Sequence, residues 1–293
     1  IKSHLMELFV KSNNFSVEGA DNINACYGGT AALFNCLNWV ACQPNNGKLA
    51  LVVTSDISTY SNESKGARAT SGAASVCMVI GRNAILPFET TKGHYMCNSY
   101  DFYKPICLLY PEFDGKLSTK MYIKCLLNAS TEFTKNKRKE EKGFELFDDS
   151  TFFAFHTPYT KLVKKSYMYM RNFHNDLLLE EKFQETIFNI EQLLDDLDLQ
   201  EKRSNLEKKI LSQFLSEIQQ NLEPSLNFST QVGNSYCSSI FMSLASILAS
   251  KEYHDLLGKK IILFSYGSGS LSSMYSLRIP KNINPKLEKI CSY

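Results

Sequence analysis

The residues best suited to covalent chemistry are Asn24-Ala25-Cys26-Tyr27-Gly28-Gly29-Thr30, where a thiol stands just ahead of an apolar segment. Thr30 to Val40 is apolar nearly all round and free of Pro and Gly, which predicts about three turns of buried helix. A cysteine before such a helix lies near the positive end of its dipole, a position that favours the nucleophilic thiolate. Gly28 and Gly29 let the backbone turn tightly and let a substrate approach. Most cysteines are small buried hydrophobes, and the other eight of the nine in this chain keep that reading.

The second candidate is His156, which follows the apolar run Ser150-Thr151-Phe152-Phe153-Ala154-Phe155 directly. A side chain at a strand end is where sites form, although a hydrogen-bonded structural histidine is the competing reading. Asn234, in Gly233-Asn234-Ser235-Tyr236, offers an amide donor or merely a turn. Lys161 and Lys165 are four apart and share one face if their segment is helical, where two ammonium groups suit phosphate oxygens. Ordinary surface lysines are the alternative. Backbone N–H groups, including that of Cys26, can supply an oxyanion hole.

The elements that must position these groups alternate. Lys48 to Thr54 reads as a buried strand ending in the loop position Ser55-Asp56. Ala74 to Ile80 is a second strand, and Ile85 to Glu89 is a candidate third. Residues 4–10 read as the end of a helix, 102–117 as an ordered loop, 118–134 as a helix and 135–142 as a charge run forming a solvated helix end or loop. Residues 160–222 are helical, with 180–220 read as surface helices because no heptad persists. Ser238 to Ser250 is another buried helix, and Lys260 to Ser265 is a strand. A turn at 266–270 leads to a partner strand from Ser273 to Ile279. Strands alternating with buried helices predict a layered α/β fold, and two halves of similar make-up suggest a duplication.

The 293 residues suffice for one large domain or two moderate ones. A net charge of +2 gives no reason to expect a nucleic-acid partner, and no apolar run reaches membrane-spanning length. Nine cysteines without a C-x-x-C pair or zinc-like spacing favour free thiols in a reducing compartment. The first residue is Ile and no signal pattern follows, so the chain is expected to be N-terminally incomplete.

The motif around Cys26 closely resembles the nucleophile motif of the 3-hydroxy-3-methylglutaryl-CoA synthase family. So do Tyr100-Asp101-Phe102-Tyr103-Lys104-Pro105, Asp114-Gly115-Lys116-Leu117-Ser118, and the run from Phe155 to Val163. Gly233-Asn234-Ser235-Tyr236 and Phe264-Ser265-Tyr266-Gly267-Ser268-Gly269 follow in the same order. The resemblance implies a thiolase-like α-β-α-β-α fold with two related halves, the first incomplete. Residues 1–105 would be what remains of the N-terminal half. Residues 106–293 would be the C-terminal half, with a helical insertion at about 160–222.

By the same resemblance the protein condenses acetyl-CoA with acetoacetyl-CoA and water through an acetyl-Cys thioester, as in isoprenoid synthesis. Cys26, His156 and Asn234 would be catalytic. Thr70, Ser118, His156, Lys161, Lys165, Asn234 and Ser268 would contact substrate. A cytoplasmic homodimer without a metal or resident cofactor is implied, with a mitochondrial form as the alternative compartment.

Two departures stand out. The family pattern Gly-Asn-Ala-Arg-Pro-Thr-Gly-Gly is here Lys65 to Gly72, following a short insertion, so the substrate-contacting Asn falls on Gly66. The family's general acid/base Glu lies upstream of the segment matching Ile1 to Leu5, and neither Glu63 nor Glu89 is assigned its role. Such a group contributes about 10²–10⁴-fold, so this chain alone is expected to be impaired. A CoA-binding scaffold lacking that Glu is the alternative expectation.

Overall fold

A computed structural model describes residues 2–44, 47–195 and 200–291. Its centre is a four-stranded sheet. The labelled strands of the chain are β1 (Ala50–Asp56), β2 (Ala74–Ile80), β3 (Phe88–Met96), β4 (Thr151–Phe155), β5 (Lys260–Gly267) and β6 (Leu271–Arg278). The central sheet has the order β3-β6-β5-β4, with β4 and β5 parallel and the other pairs antiparallel. β5 is buried along its whole length and β4 likewise, which is why both read as unbroken apolar runs.

Alternation along these strands feeds two cores. Phe153, Phe155, Ile262, Phe264 and Met274 face one core; Phe152, Ala154, Ile261, Leu263, Tyr275 and Leu277 face the other. The first core is closed by helices α3 (Gly115–Glu140), α4 (Thr160–Leu178), α5 (Glu180–Asp195) and α6 (Gln200–Glu217). The second is closed by α1 (Gly28–Cys42) and α7 (Ser239–Ser250), with β1 and β2 paired antiparallel beyond them. The described residues thus stack helix, sheet, helix, sheet, in the order expected from the sequence. A short helix, α2 (Lys65–Thr70), lies between β1 and β2 in the chain.

Several local expectations are revised. α1 is not buried all round: Leu33 and Val40 are buried, but Phe34, Leu37 and Trp39 are half-buried and Asn35 and Asn38 are exposed. Its covered side faces β1 and the 236–238 turn and, through Phe34, Tyr275 of β6 and His94 of β3. Helices α5 and α6 are more than surface helices, because Ile187, Ile190, Leu193, Leu194 and Ile210 enter the first core. The charge run at 135–142 is the end of α3 as far as Glu140, but it is not solvated throughout, because its Lys137 is buried against Glu89 at 3.1 Å. β3 begins at Phe88 and pairs with β6, so residues 88–96 join the central sheet upstream of the expected 105/106 division.

Candidate active site

Cys26 lies two residues before α1, as the sequence predicts, and is 8% exposed. Ala25 holds a left-handed φ of 42°, and Gly28 N–H donates to Ala25 O at 3.1 Å, turning the chain sharply into the helix. A non-glycine residue in this region is strained, and such residues concentrate at functional sites. Two glycines let neighbouring segments close in. A Cβ on Gly29 would lie 2.3 Å from Cys237 O, and one on Gly267 would lie 2.7 Å from Tyr27 N and Cβ. The Cys26 turn is therefore clasped between the 233–238 segment and the end of β5.

Electrostatics at the thiol differ from the sequence expectation. Burial pushes the Cys26 thiol well above its ordinary range, and the carboxylates of Asp56 and Asp101 and the neighbouring Cys237 push it the same way. A helix terminus is worth about 0.3–1 kcal/mol at an exposed position, whereas full burial shifts a group by up to about 3–5 units. Burial wins, and the resting group is a neutral thiol. Asp56, at the end of β1, accepts from Cys237 N–H at 3.4 Å. Asp101 is fully buried and accepts from Tyr266 Oη at 2.7 Å and from Gly269 N–H at 3.3 Å.

His156 caps β4. Its N–H donates to Phe264 O at 2.8 Å, and its carbonyl accepts from Tyr122 Oη at 2.6 Å. The ring stacks on Tyr266 with centroids 6.4 Å apart and an interplanar angle of 25°. Burial lowers its pKa to about 3, so the ring is neutral, and Nδ1 is buried without a partner. A continuous path runs from His156 through Tyr266 to Asp101, whose charge acts on Cys26.

Asn234 is bound at its backbone: its N–H donates to Thr70 O at 2.8 Å, and its carbonyl accepts from Gly72 N–H at 2.9 Å. Its Oδ1 accepts from Tyr236 N–H at 2.8 Å, which fixes the amide orientation and leaves Nδ2 as the available donor. Tyr236 Oη in turn is bonded to Tyr60 Oη (2.9 Å) and Ser71 Oγ (2.7 Å), and both phenols would feel negative charge formed at Cys26. A groove of about 610 Å³, lined by Ser58, Thr59, Tyr60, Arg68, Ser71, Leu109 and Tyr110, opens beside this cluster.

The remaining expected contacts divide. Thr70 meets Asn234 through its carbonyl, while its hydroxyl turns back to Gly66 O and Ala67 O. Ser118 lies one turn before Tyr122 on α3, and Ser268 lies in the turn after β5. Lys161 and Lys165 are both on α4, but Lys165 is bound to Glu207 at 2.7 Å with its side chain 23% exposed. The two-lysine phosphate clamp is therefore not formed: α6 supplies a carboxylate that the α4 spacing alone does not reveal, and only Lys161 is exposed. Gly66 faces open space. Asp56, Asp101, Tyr60 and Tyr266 were not singled out from the sequence. Each stands at or just beyond a strand end or inside a quoted motif, the one signal available.

Residues 1–85 match the family model described as hydroxymethylglutaryl-coenzyme A synthase N terminal, and residues 86–293 match the corresponding C-terminal model. The cytoplasmic hydroxymethylglutaryl-CoA synthase of Rattus norvegicus is 39% identical over 304 residues, covering 99% of this chain and 57% of the relative. The mitochondrial enzyme of Sus scrofa is also 39% identical, covering 100% of this chain and 59% of the relative. The chain thus spans under three-fifths of the length of these curated relatives. The solved structure of MvaS in complex with 3-hydroxy-3-methylglutaryl coenzyme A superposes with a TM-score of 0.71 at 24% identity, over 92% of this chain and 60% of that one.

Proposed function

The chain belongs to the hydroxymethylglutaryl-CoA synthase family, with its thiolase-like fold, and we propose that it carries the acyl-transfer centre of such an enzyme. The observation that carries this reading is the clasped Cys26 turn, with the His156–Tyr266–Asp101 path on one side and Asn234 on the other.

In this reading Cys26 Sγ attacks the carbonyl carbon of acetyl-CoA, the thioester bond to CoA breaks, and the departing CoA thiolate ends with the proton Cys26 loses. A neutral resting thiol suits a group that must ionise only when a thioester is present. Neutral His156 presents Nδ1 to a substrate oxygen as donor or acceptor according to its tautomer, and Asn234 Nδ2 donates to a thioester carbonyl. Thr70, Ser118, Lys161 and Ser268 contact the CoA thioesters. Acetoacetyl-CoA is the second substrate, and water releases the condensed product from Cys26. No resident cofactor or metal enters these steps.

Glu89 is bound to Lys137 and Arg278, and Glu63 lines an outer groove, so neither is assigned proton abstraction from the acetyl methyl. A cytoplasmic homodimer is carried over with the family; a mitochondrial relative matches at the same 39% identity. Among the described residues no helix is long and apolar enough to cross a membrane.

The test is covalent labelling. The protein incubated with radiolabelled acetyl-CoA takes up acetyl on Cys26, mapped by peptide mass spectrometry, and Cys26→Ala takes up none. Label persisting in the alanine variant would overturn the assignment.

A further inference from the structure

Two further thiols meet away from Cys26. Cys97 follows β3 directly, and Cys125 lies on α3. Odd-numbered residues of β3 face α3. A Cβ on Gly93 would lie 2.3 Å from Ala129 O and 2.2 Å from Phe133 N, so strand and helix backbones nearly touch there. Two steps along β3 advance about 7 Å, and one helical turn back along α3 covers about 5.4 Å. That geometry carries Tyr95 and Cys97 over Cys125.

The match is tightened by Ser272, whose hydroxyl reaches both Tyr95 O (3.2 Å) and Cys125 O (3.3 Å). The two thiols lie within interaction range, each acting on the other. Cys97 is half-buried, within reach of a small solute, whereas Cys125 is fully buried. The segment is anchored, because Cys97 N–H donates to Ser270 O and Ser270 N–H to Cys97 O.

We propose that Cys97 and Cys125 form a reversible dithiol–disulfide site oxidised by hydrogen peroxide, with Cys97 as the attacking and Cys125 as the resolving thiol. The adjacent Cys125 thiol draws Cys97 toward the thiolate against its burial, and Tyr95 and the charge of Lys124 act in the same direction. Cys125 is held as the neutral partner. The thiolate of Cys97 attacks one peroxide oxygen and the O–O bond breaks. With one proton taken up, this leaves Cys97 as a sulfenic acid and releases one water. The Cys125 sulfur then attacks the Cys97 sulfur, the S–O bond breaks, and the thiol proton leaves with hydroxide as a second water. Two thiols and one hydrogen peroxide give one disulfide and two waters. Exposed Cys42, Cys77 and Cys107 show no such partner thiol among the described residues.

The experiment exposes the reduced protein to a slight molar excess of hydrogen peroxide, blocks remaining thiols with N-ethylmaleimide and maps the products by mass spectrometry. The expected first product is a peptide pair linked Cys97 to Cys125, lost on treatment with dithiothreitol. Cys125→Ser is expected to leave Cys97 trapped as a sulfenic acid that dimedone labels, and Cys97→Ser to abolish the linkage. Oxidation of Cys42, Cys77 or Cys107 ahead of Cys97, or absence of the linked pair from the wild-type protein, would overturn the proposal. Acetyl transfer is not the readout, so failure of the functional reading would leave this result intact.

Discussion

Cys26 is the residue at which position and environment pull in opposite directions. Its place before α1 is legible in the sequence; its resting protonation state is not. The carboxylates that add to burial in holding the thiol neutral come from the end of β1 and from the Tyr100–Pro105 motif, which only the fold brings alongside. The cause can be tested by removing one charge. Asp56→Asn takes away the largest electrostatic contribution that disfavours the thiolate after burial itself. The thiol then ionises at lower pH, since each unit of pKa changes the thiolate fraction about tenfold in this range. Alkylation of Cys26 by iodoacetamide at pH 8 is therefore expected to run severalfold faster in Asp56→Asn than in the parent. An unchanged or slower rate would mean that Asp56 does not set the thiol's charge. His156 tells a similar story. Its strand-end position was readable from the run Thr151 to Phe155, but the orphaned Nδ1 and the stack on Tyr266 were not.

At the scale of elements, the site depends on how closely four segments approach, and glycines set that approach. Gly29 has no room for a methyl group, because the obstructing atom is the backbone oxygen of Cys237. Gly29→Ala must move the 233–238 segment, and overpacking of this kind costs about 1–3 kcal/mol. A Cβ on Gly66 would meet nothing within 4 Å among the described residues, so Gly66→Ala should stay within about 0.5 kcal/mol of the parent. Urea unfolding of the two variants checks the contrast, and equal midpoints would refute the close-approach account. Both glycines look alike in the sequence, each beside a small residue and near a candidate site position. What separates them is the neighbour across space. The same reason hid the Lys165–Glu207 pair and the core-facing side of α5 and α6. The strands β2, β4 and β5 were legible because their apolar runs are written in consecutive residues.

At the scale of the whole molecule, two buried neutral histidines couple the fold to pH. Burial lowers His156 to about 3, and burial together with the charges of Arg138 and Arg171 lowers His174 to about 4. Neither ring can charge in the folded protein at mild acidity, while both charge in the unfolded chain below about 6.5. The unfolded state therefore binds more protons between pH 6.5 and the folded values, so stability falls as pH falls through that window. At pH 5 the unfolded-state gain is about 2 kcal/mol per histidine, from about 1.4 kcal/mol per unit. The carboxylates of Glu89, held low against burial by the Ser276 hydroxyl and Lys137, and of Asp148, held low against burial by the hydroxyls of Ser150 and Thr151, add their own loss only as pH falls below their unfolded values of 4.5 and 3.8. The interval from pH 7 to pH 5 thus lies above the carboxylate loss; His94, held low by burial and by Lys92, and the Cys97 thiol, held low beside Cys125, contribute there in the same direction. The urea midpoint is expected to drop across it, and His174→Leu to remove about 2 kcal/mol of the loss at pH 5. His174 packs against Phe147 in the first core, far along the chain from the Cys26 turn, so that variant tests the linkage without touching the site. A His174→Leu protein with the parent's full pH dependence would show that the folded protein accepts charge at His174, contrary to its burial.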